Sequence, residues 1–271
     1  MKIELLGSLA AEKCGKSFVP SAAKPRQVLA LLAMRAGQLV PTSILMEELW
    51  GERPPRSAAT TLQTYILQVR RHLSWAISGS GLCPKDILVT AHGGYLLAVR
   101  PGAVDAHQFM ELVRAGDAAL GARDDHAASE ILGHALRLWQ GPALVDVKAG
   151  QVLEIDVMRL EEARLGVLEK RIGADLRLGR HNDIICELTT LTAQHPMHEG
   201  LHAQLMVAQY RAGRAWQALE TYRRLRDTLD EGLGIEPSSL LKRLYHLVLT
   251  SDPQLRGSQE QAHAGMERLV G

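Results

Sequence analysis

Between Ser57 and Leu73 the chain reads SAATTLQTYILQVRRHL, and wound as a helix this segment sorts into two faces. Leu62, Ile66, Val69 and Leu73 recur at spacings of four, three and four, so they form one apolar stripe. Thr60, Thr64, Leu67, Gln68 and Arg71 fall on the opposite side. The chemistry these side chains share is recognition of base edges in a major groove. Arginine donates to guanine acceptors, glutamine pairs with the donor and acceptor of adenine, and threonine or leucine touches a thymine methyl. On a lone helix the same residues would simply be a solvated surface, so the reading turns on the elements around it.

Those elements belong to one architecture. The opening segment KIELLGSLAAEKCGKSFVP reads as short strands, with a break at Gly7-Ser8 and a turn at Cys14-Gly15-Lys16, which predicts a small antiparallel sheet. In KPRQVLALLAMRAG, Pro25 suits a first helical turn, Val28, Leu29, Leu31 and Leu32 form a core stripe, and Gly37 ends the helix. Thr42 or Ser43 is expected to cap a second short helix that closes at Gly51. The stretch Glu52-Arg53-Pro54-Pro55-Arg56 must be a stiff loop, because its two prolines remove donors and push the residues before them to extended geometry. Ser57 is expected to cap the third helix, the one carrying the threonines. Beyond the Gly/Ser-rich residues 78–81, ILVT and YLLAV flank Ala91-His92-Gly93-Gly94 as a hairpin with a glycine-dependent turn. Strands, three helices and a terminal hairpin make residues 1–100 a winged helix-turn-helix, with the hairpin as its wing.

Charge supports a polyanion as the partner. Residues 1–100 hold 12 lysines and arginines against 6 carboxylates, a balance of +6, and residues 101–271 carry −5. Phosphate contacts are expected from Lys24, Arg26, Thr42, Ser43 and Arg70, and His92 at the hairpin tip could reach a minor groove.

From Asp105 onward strand signals stop. Six helical stretches, all read as amphipathic, follow between breaks at Gly121, Gly141-Pro142, Gly179, Pro196, Gly213 and Leu233-Gly234-Ile235-Glu236-Pro237. Tyr, Trp and Ala at packing sites in AQYRAGRAWQALETYRRL point to stacked, tetratricopeptide-like helix pairs. A last helix, SSLLKRLYHLV, precedes a polar tail over residues 252–271, so the second domain is expected at 101–251.

Enzyme chemistry is not expected. There is no GxSxG, GxxxxGK[ST], GxGxxG after a strand or DxDxDG loop, and no nucleotide cofactor follows. The adjacent carboxylates Glu161-Glu162 and Asp124-Asp125 are expected to face water. Cys14, Cys83 and Cys186 are too scattered for a disulfide framework and read as packing residues; the 11 histidines show no metal-ligand spacing. No apolar run is long enough to span a membrane, and the opening residues lack a signal peptide, so a cytoplasmic location is expected.

The segment KPRQVL, the EELWG before a Pro-Pro loop, and TLQTYIxxxRRxL closely resemble the N-terminal domain of the Streptomyces antibiotic regulatory protein family. LGIEPSSxLxxLYxxVL resembles the end of that family's bacterial transcriptional activation domain, so the resemblance covers residues 1 to about 250. It implies an activator of a secondary-metabolite gene cluster that binds direct repeats near a promoter. Two protomers would sit head to tail on DNA, and the protein would engage RNA polymerase and its principal sigma factor. It further implies base contacts from Thr60, Thr61, Thr64, Gln68 and Arg71, with Tyr65 and Arg70, on the flanks of the stripe, going to phosphate or packing. Loop 52–56 and the later helices become polymerase surfaces. Two other readings stand beside it: a ligand-responsive repressor on the same DNA-binding domain, and a helical scaffold for proteins.

Overall fold

The computed structural model describes residues 1–79, 81–252 and 255, so nearly all of the expected polar tail lies outside the described residues. Two compact units divide the chain. One is built from residues 1–114 with 134–166, the other from residues 115–133 with Val167 onward.

The first unit opens with β1 (Lys2–Glu4), β2 (Ala10–Lys13) and β3 (Lys16–Ser17), an antiparallel sheet in that order. Cys14 and Gly15, both at positive φ (52° and 74°), make the two-residue turn between β2 and β3, a geometry whose twist matches that of the strands. Then come α1 (Ala23–Met34), β4 (Leu39–Pro41), α2 (Thr42–Trp50), α3 (Ala58–Ala76), the short α4 (Pro84–Ile87), β5 (Leu88–Ala91) and β6 (Gly94–Leu97). The hairpin β5–β6 is joined by β4 into a second sheet, ordered β4-β6-β5. Val28, Leu29, Leu31 and Leu32 of α1 and Leu62, Ile66, Val69 and Leu73 of α3 are all buried, as their spacing required.

The remaining helices are α5 (Asp105–Gly121), α6 (Asp125–Arg137), α7 (Gln151–Arg177), α8 (His181–Gln194), α9 (Glu199–Arg211), α10 (Ala215–Leu233) and α11 (Ser239–Leu249). In the second unit α8, α9, α10 and α11 pack in succession as stacked pairs. One departure is α9, which is not amphipathic: Leu201 to Tyr210 are buried without interruption, because α8, α10 and α11 all contact it. Two of its glutamines are bonded inside, Gln204 Nε2 donating to the Glu169 carbonyl (2.9 Å) and Gln209 Oε1 accepting from Thr221 (2.9 Å).

Local rules failed at several other places. Ser57 occupies the residue before α3 but makes no capping bond, and neither Thr42 nor Ser43 caps α2, whose preceding residue is Pro41. The hydroxyl of Thr42 donates instead to the Gly93 carbonyl (3.1 Å). All three cysteines are exposed rather than packed, Cys14 in its turn, Cys83 before α4 and Cys186 on α8. Two of the carboxylates expected in water are structural: Glu161 accepts the Ala143 N–H (2.8 Å), and Asp125 is buried against Arg177 (2.7 Å).

The first unit is closed by carboxylates that bond across long stretches of sequence. Asp105 accepts the backbone N–H groups of Leu5, Leu6 and Ala106 at 2.7–3.0 Å. Asp146 accepts from Leu9 N (2.7 Å) and holds Arg26, and Asp156 takes Arg35 in a two-pronged contact (3.0–3.3 Å). Burial pushes the Asp105 carboxyl above its ordinary value and outweighs the three donors. The fold then keeps a proton that the unfolded chain has released. This group's contribution to stability is fully present below pH 3.8, the unfolded value, and falls away as pH rises through the elevated one. Asp105→Asn cannot ionise, so the stability gap between wild type and variant is expected to narrow on going from acid toward neutral pH, by at most about 1.4 kcal/mol per pH unit. Urea midpoints measured across pH 3–7 check this; a gap that widens with pH would contradict it.

Candidate nucleic-acid interface

Helix α3 positions the candidate reading face. Its apolar stripe fixes the helix's rotation on the core, which leaves Thr60, Thr64, Leu67 and Arg71 exposed, Leu67 at 62%. Thr61 and Gln68 are half-buried beside them. The Thr64 hydroxyl donates to the Thr60 carbonyl (3.1 Å), so this side chain turns its methyl and its lone pairs outward. Arg71 makes no ion pair among the described residues, which leaves its fork of donors available to a base or phosphate.

The flanking residues have other duties. Tyr65 stacks on Trp50 at the end of α2, ring centroids 6.3 Å apart. Arg70 donates from Nε (3.1 Å) and Nη2 (2.6 Å) to the Leu88 carbonyl and from Nη2 to the Thr90 hydroxyl (2.8 Å), both on β5. At the other end of the hairpin, the Gly93 carbonyl accepts from Thr42 N (2.9 Å) and Thr42 Oγ1 (3.1 Å). This brings Thr42, Ser43 and the exposed His92 to the same edge of the unit. Lys24 is half-buried and donates to the Leu49 carbonyl (2.6 Å) and Gln27 Oε1 (3.2 Å), and Arg26 is engaged with Asp146. Glu52, Arg53, Pro54, Pro55 and Arg56 are all exposed between α2 and α3.

Glu48 has a role that capping and periodicity rules do not assign to it. Buried to 3% exposure on α2, it accepts from Gln27 Nε2 (2.6 Å) and from the N–H groups of Gly150 (2.6 Å) and Leu153 (2.9 Å), and so caps α7 from another helix. A signal was present: Leu45, Glu48 and Leu49 share one face, which puts a carboxylate in a core stripe.

Among the described residues no cluster of three His, Cys, Asp or Glu could hold a metal ion, and no helix is long and apolar enough to cross a membrane. The arrangement of α2, α3 and hairpin, followed by helical repeats, defines a two-part DNA-binding protein with a winged helix at its start. Residues 16–97 match the family described as transcriptional regulatory protein, C terminal, and residues 104–249 match the bacterial transcriptional activator domain. The chain is 52% identical to the regulatory protein DnrI of Streptomyces peucetius over 254 residues, 93% of each chain. It is 38% identical to the transcriptional regulator RedD of Streptomyces coelicolor, over 94% of this chain and 72% of that one. The structure of Mycobacterium tuberculosis EmbR in complex with a low affinity phosphopeptide superposes with a TM-score of 0.87 at 32% identity, over 98% of this chain and 69% of that one. The chain belongs to the Streptomyces antibiotic regulatory protein family, the DNA-binding transcriptional activators that its two halves describe.

Proposed function

We propose that this protein activates a biosynthetic gene cluster for a secondary metabolite by reading direct repeats near a promoter as a head-to-tail pair. The observation that supports this most is the exposed face of α3, where Thr60, Thr64, Leu67 and Arg71 stand beside a hairpin anchored to both α2 and α3. Thr61 and Gln68 complete the base-reading set, with Ser43, Thr42 and His92 meeting backbone at the hairpin side. Residues 1–100 act as the DNA-binding domain and 101–251 as the activation domain. The exposed loop Glu52–Arg56, next to the reading helix, meets RNA polymerase or its principal sigma factor, and the protein works in the cytoplasm.

The intact chain is the reagent for testing this, because Asp105, Asp146 and Glu48 tie the first hundred residues to later ones. Gel shifts across a salt series, on DNA upstream of neighbouring operons with random DNA as competitor, are expected to show preference that weakens with salt. No preference at any salt would overturn the activator reading and favour a protein-binding scaffold. Preference that a small molecule abolishes, with transcription rising when the chain is removed, would favour a repressor. Gln68→Ala and Arg71→Ala are each expected to lower discrimination between specific and random DNA by about 1–3 kcal/mol. Equal losses on both DNAs would reassign that residue to phosphate.

A further inference from the structure

Two adjacent arginines on α3 carry the same charge and meet different surroundings. Arg71 points away from the core stripe and is exposed. Arg70, about 100° around the helix, is half-buried and directed at β5. Because β5 is the edge of its sheet, alternate carbonyls face away from β6, and that of Leu88 receives two donors from the Arg70 guanidinium. A third bond goes to the Thr90 hydroxyl, two residues along β5 (2.8 Å). Among the described residues Arg70 has no carboxylate partner, so the geometry of this guanidinium is set by the hairpin.

The far end of the hairpin is fixed independently by the two Thr42 bonds to Gly93. There the backbone is also close: a Cβ at Gly94 would overlap the Val40 carbonyl oxygen on β4. The hairpin is thus tied at its tip to α2 and at its start to α3, and the hydrogen bonds of the second tie are those of Arg70.

We propose that Arg70 is a positioning residue for DNA recognition: it sets the distance and angle between the reading helix and the hairpin, and with them which base pairs the two can meet together. This rests on the reading of α3 and hairpin as the DNA-binding elements. Lysine can still hold a phosphate as a point charge, whereas this role needs the planar fork that reaches Leu88 and Thr90 at once. Lysine keeps the charge and cannot make that contact.

The test uses the intact chain with Arg70→Lys, Arg70→Ala and Thr90→Val, on duplexes that the wild-type chain selects from a randomised pool. Failure of the wild type to select any sequence would remove the DNA reading itself. With selection established, Arg70→Lys is expected to lose about tenfold in specific affinity at an unchanged salt slope. It should relax base preference on the hairpin side while leaving preference under α3 intact. Thr90→Val should move the same positions less, and the double variant should lose less than the product of the two. If Arg70→Lys binds like wild type and Arg70→Ala lowers the salt slope by about one, Arg70 neutralises a phosphate and the proposal falls. A drop in thermal stability with the preference profile unchanged would also overturn it, leaving Arg70 with a structural role only.

Discussion

Replacing Asp175 by alanine is expected to cost about 3–5 kcal/mol of stability, because it breaks a buried ion-pair network. Asp175, on α7, is 5% exposed and holds three groups at once: the Ser129 hydroxyl on α6 (2.7 Å), Arg180 at the turn into α8 (2.9 Å) and Arg171 (3.0 Å). Arg171 goes on to Glu187 on α8 (2.5 Å), so the network balances two guanidinium groups with two carboxylates across three helices. Alanine removes one carboxylate and leaves the other partners in place. Arg171, with a side chain only 15% exposed, then keeps one counter-charge, and Ser129 loses its acceptor. Asp175→Asn preserves shape and should cost less, and replacing Arg171, Asp175 and Glu187 together by apolar residues of similar volume should recover much of the loss. Urea unfolding followed by far-ultraviolet circular dichroism measures all three. A loss under about 1 kcal/mol for the alanine variant would show that the network carries little stability.

Glu48→Ala is expected to cost about 3 kcal/mol through a different mechanism, the loss of a cap. Three donors converge on this buried carboxylate, two of them orphan N–H groups at the start of α7, and its charge sits where the helix dipole is positive. Alanine leaves the Gly150 and Leu153 N–H groups without this acceptor, while Gln27 Nε2 keeps only the residue-48 backbone carbonyl (2.9 Å). The same joint can be broken from the opposite side, because a Cβ at Gly150 would overlap the Glu48 carbonyl oxygen; Gly150→Ala should cost about 1–3 kcal/mol by overpacking. Hydrogen exchange should report both variants as faster exchange in the first turn of α7, with α10 unaffected. Unchanged protection at Gly150 and Leu153 in Glu48→Ala would show that another group caps the helix.

What could be read from the sequence follows the range of the forces involved. The stripe of α3, the 91–94 turn and the helix breaks after Asp105 are local patterns, and each element stands within a few residues of its expected place. The three-residue β4 was not legible, since a strand ending in Pro41 carries no alternation and exists because β6 lies beside it. Capping rules failed at Thr42 for a related reason: its hydroxyl met a carbonyl 51 residues away before it could serve its own helix. The candidate site divides the same way. The outward face of α3 was visible by periodicity, whereas the work of Arg70, Lys24 and Arg26 depends on acceptors in other elements, which spacing along one helix does not reveal.

The first unit also imposes an order of events during synthesis. Its opening strand is completed from far down the chain: Ile3 N–H donates to the Ala103 carbonyl, Leu5 and Leu6 to Asp105, while the carbonyls of Leu5 and Leu6 accept from Leu144 and Gln140. At a translation rate of about 5–20 residues per second, the last of these partners leaves the ribosome on the order of ten seconds after the first residues do. Throughout that interval β1 has only β2 to pair with, and the backbone groups of Ile3, Leu5 and Leu6 that later residues meet in the fold stay open to any neighbouring nascent chain.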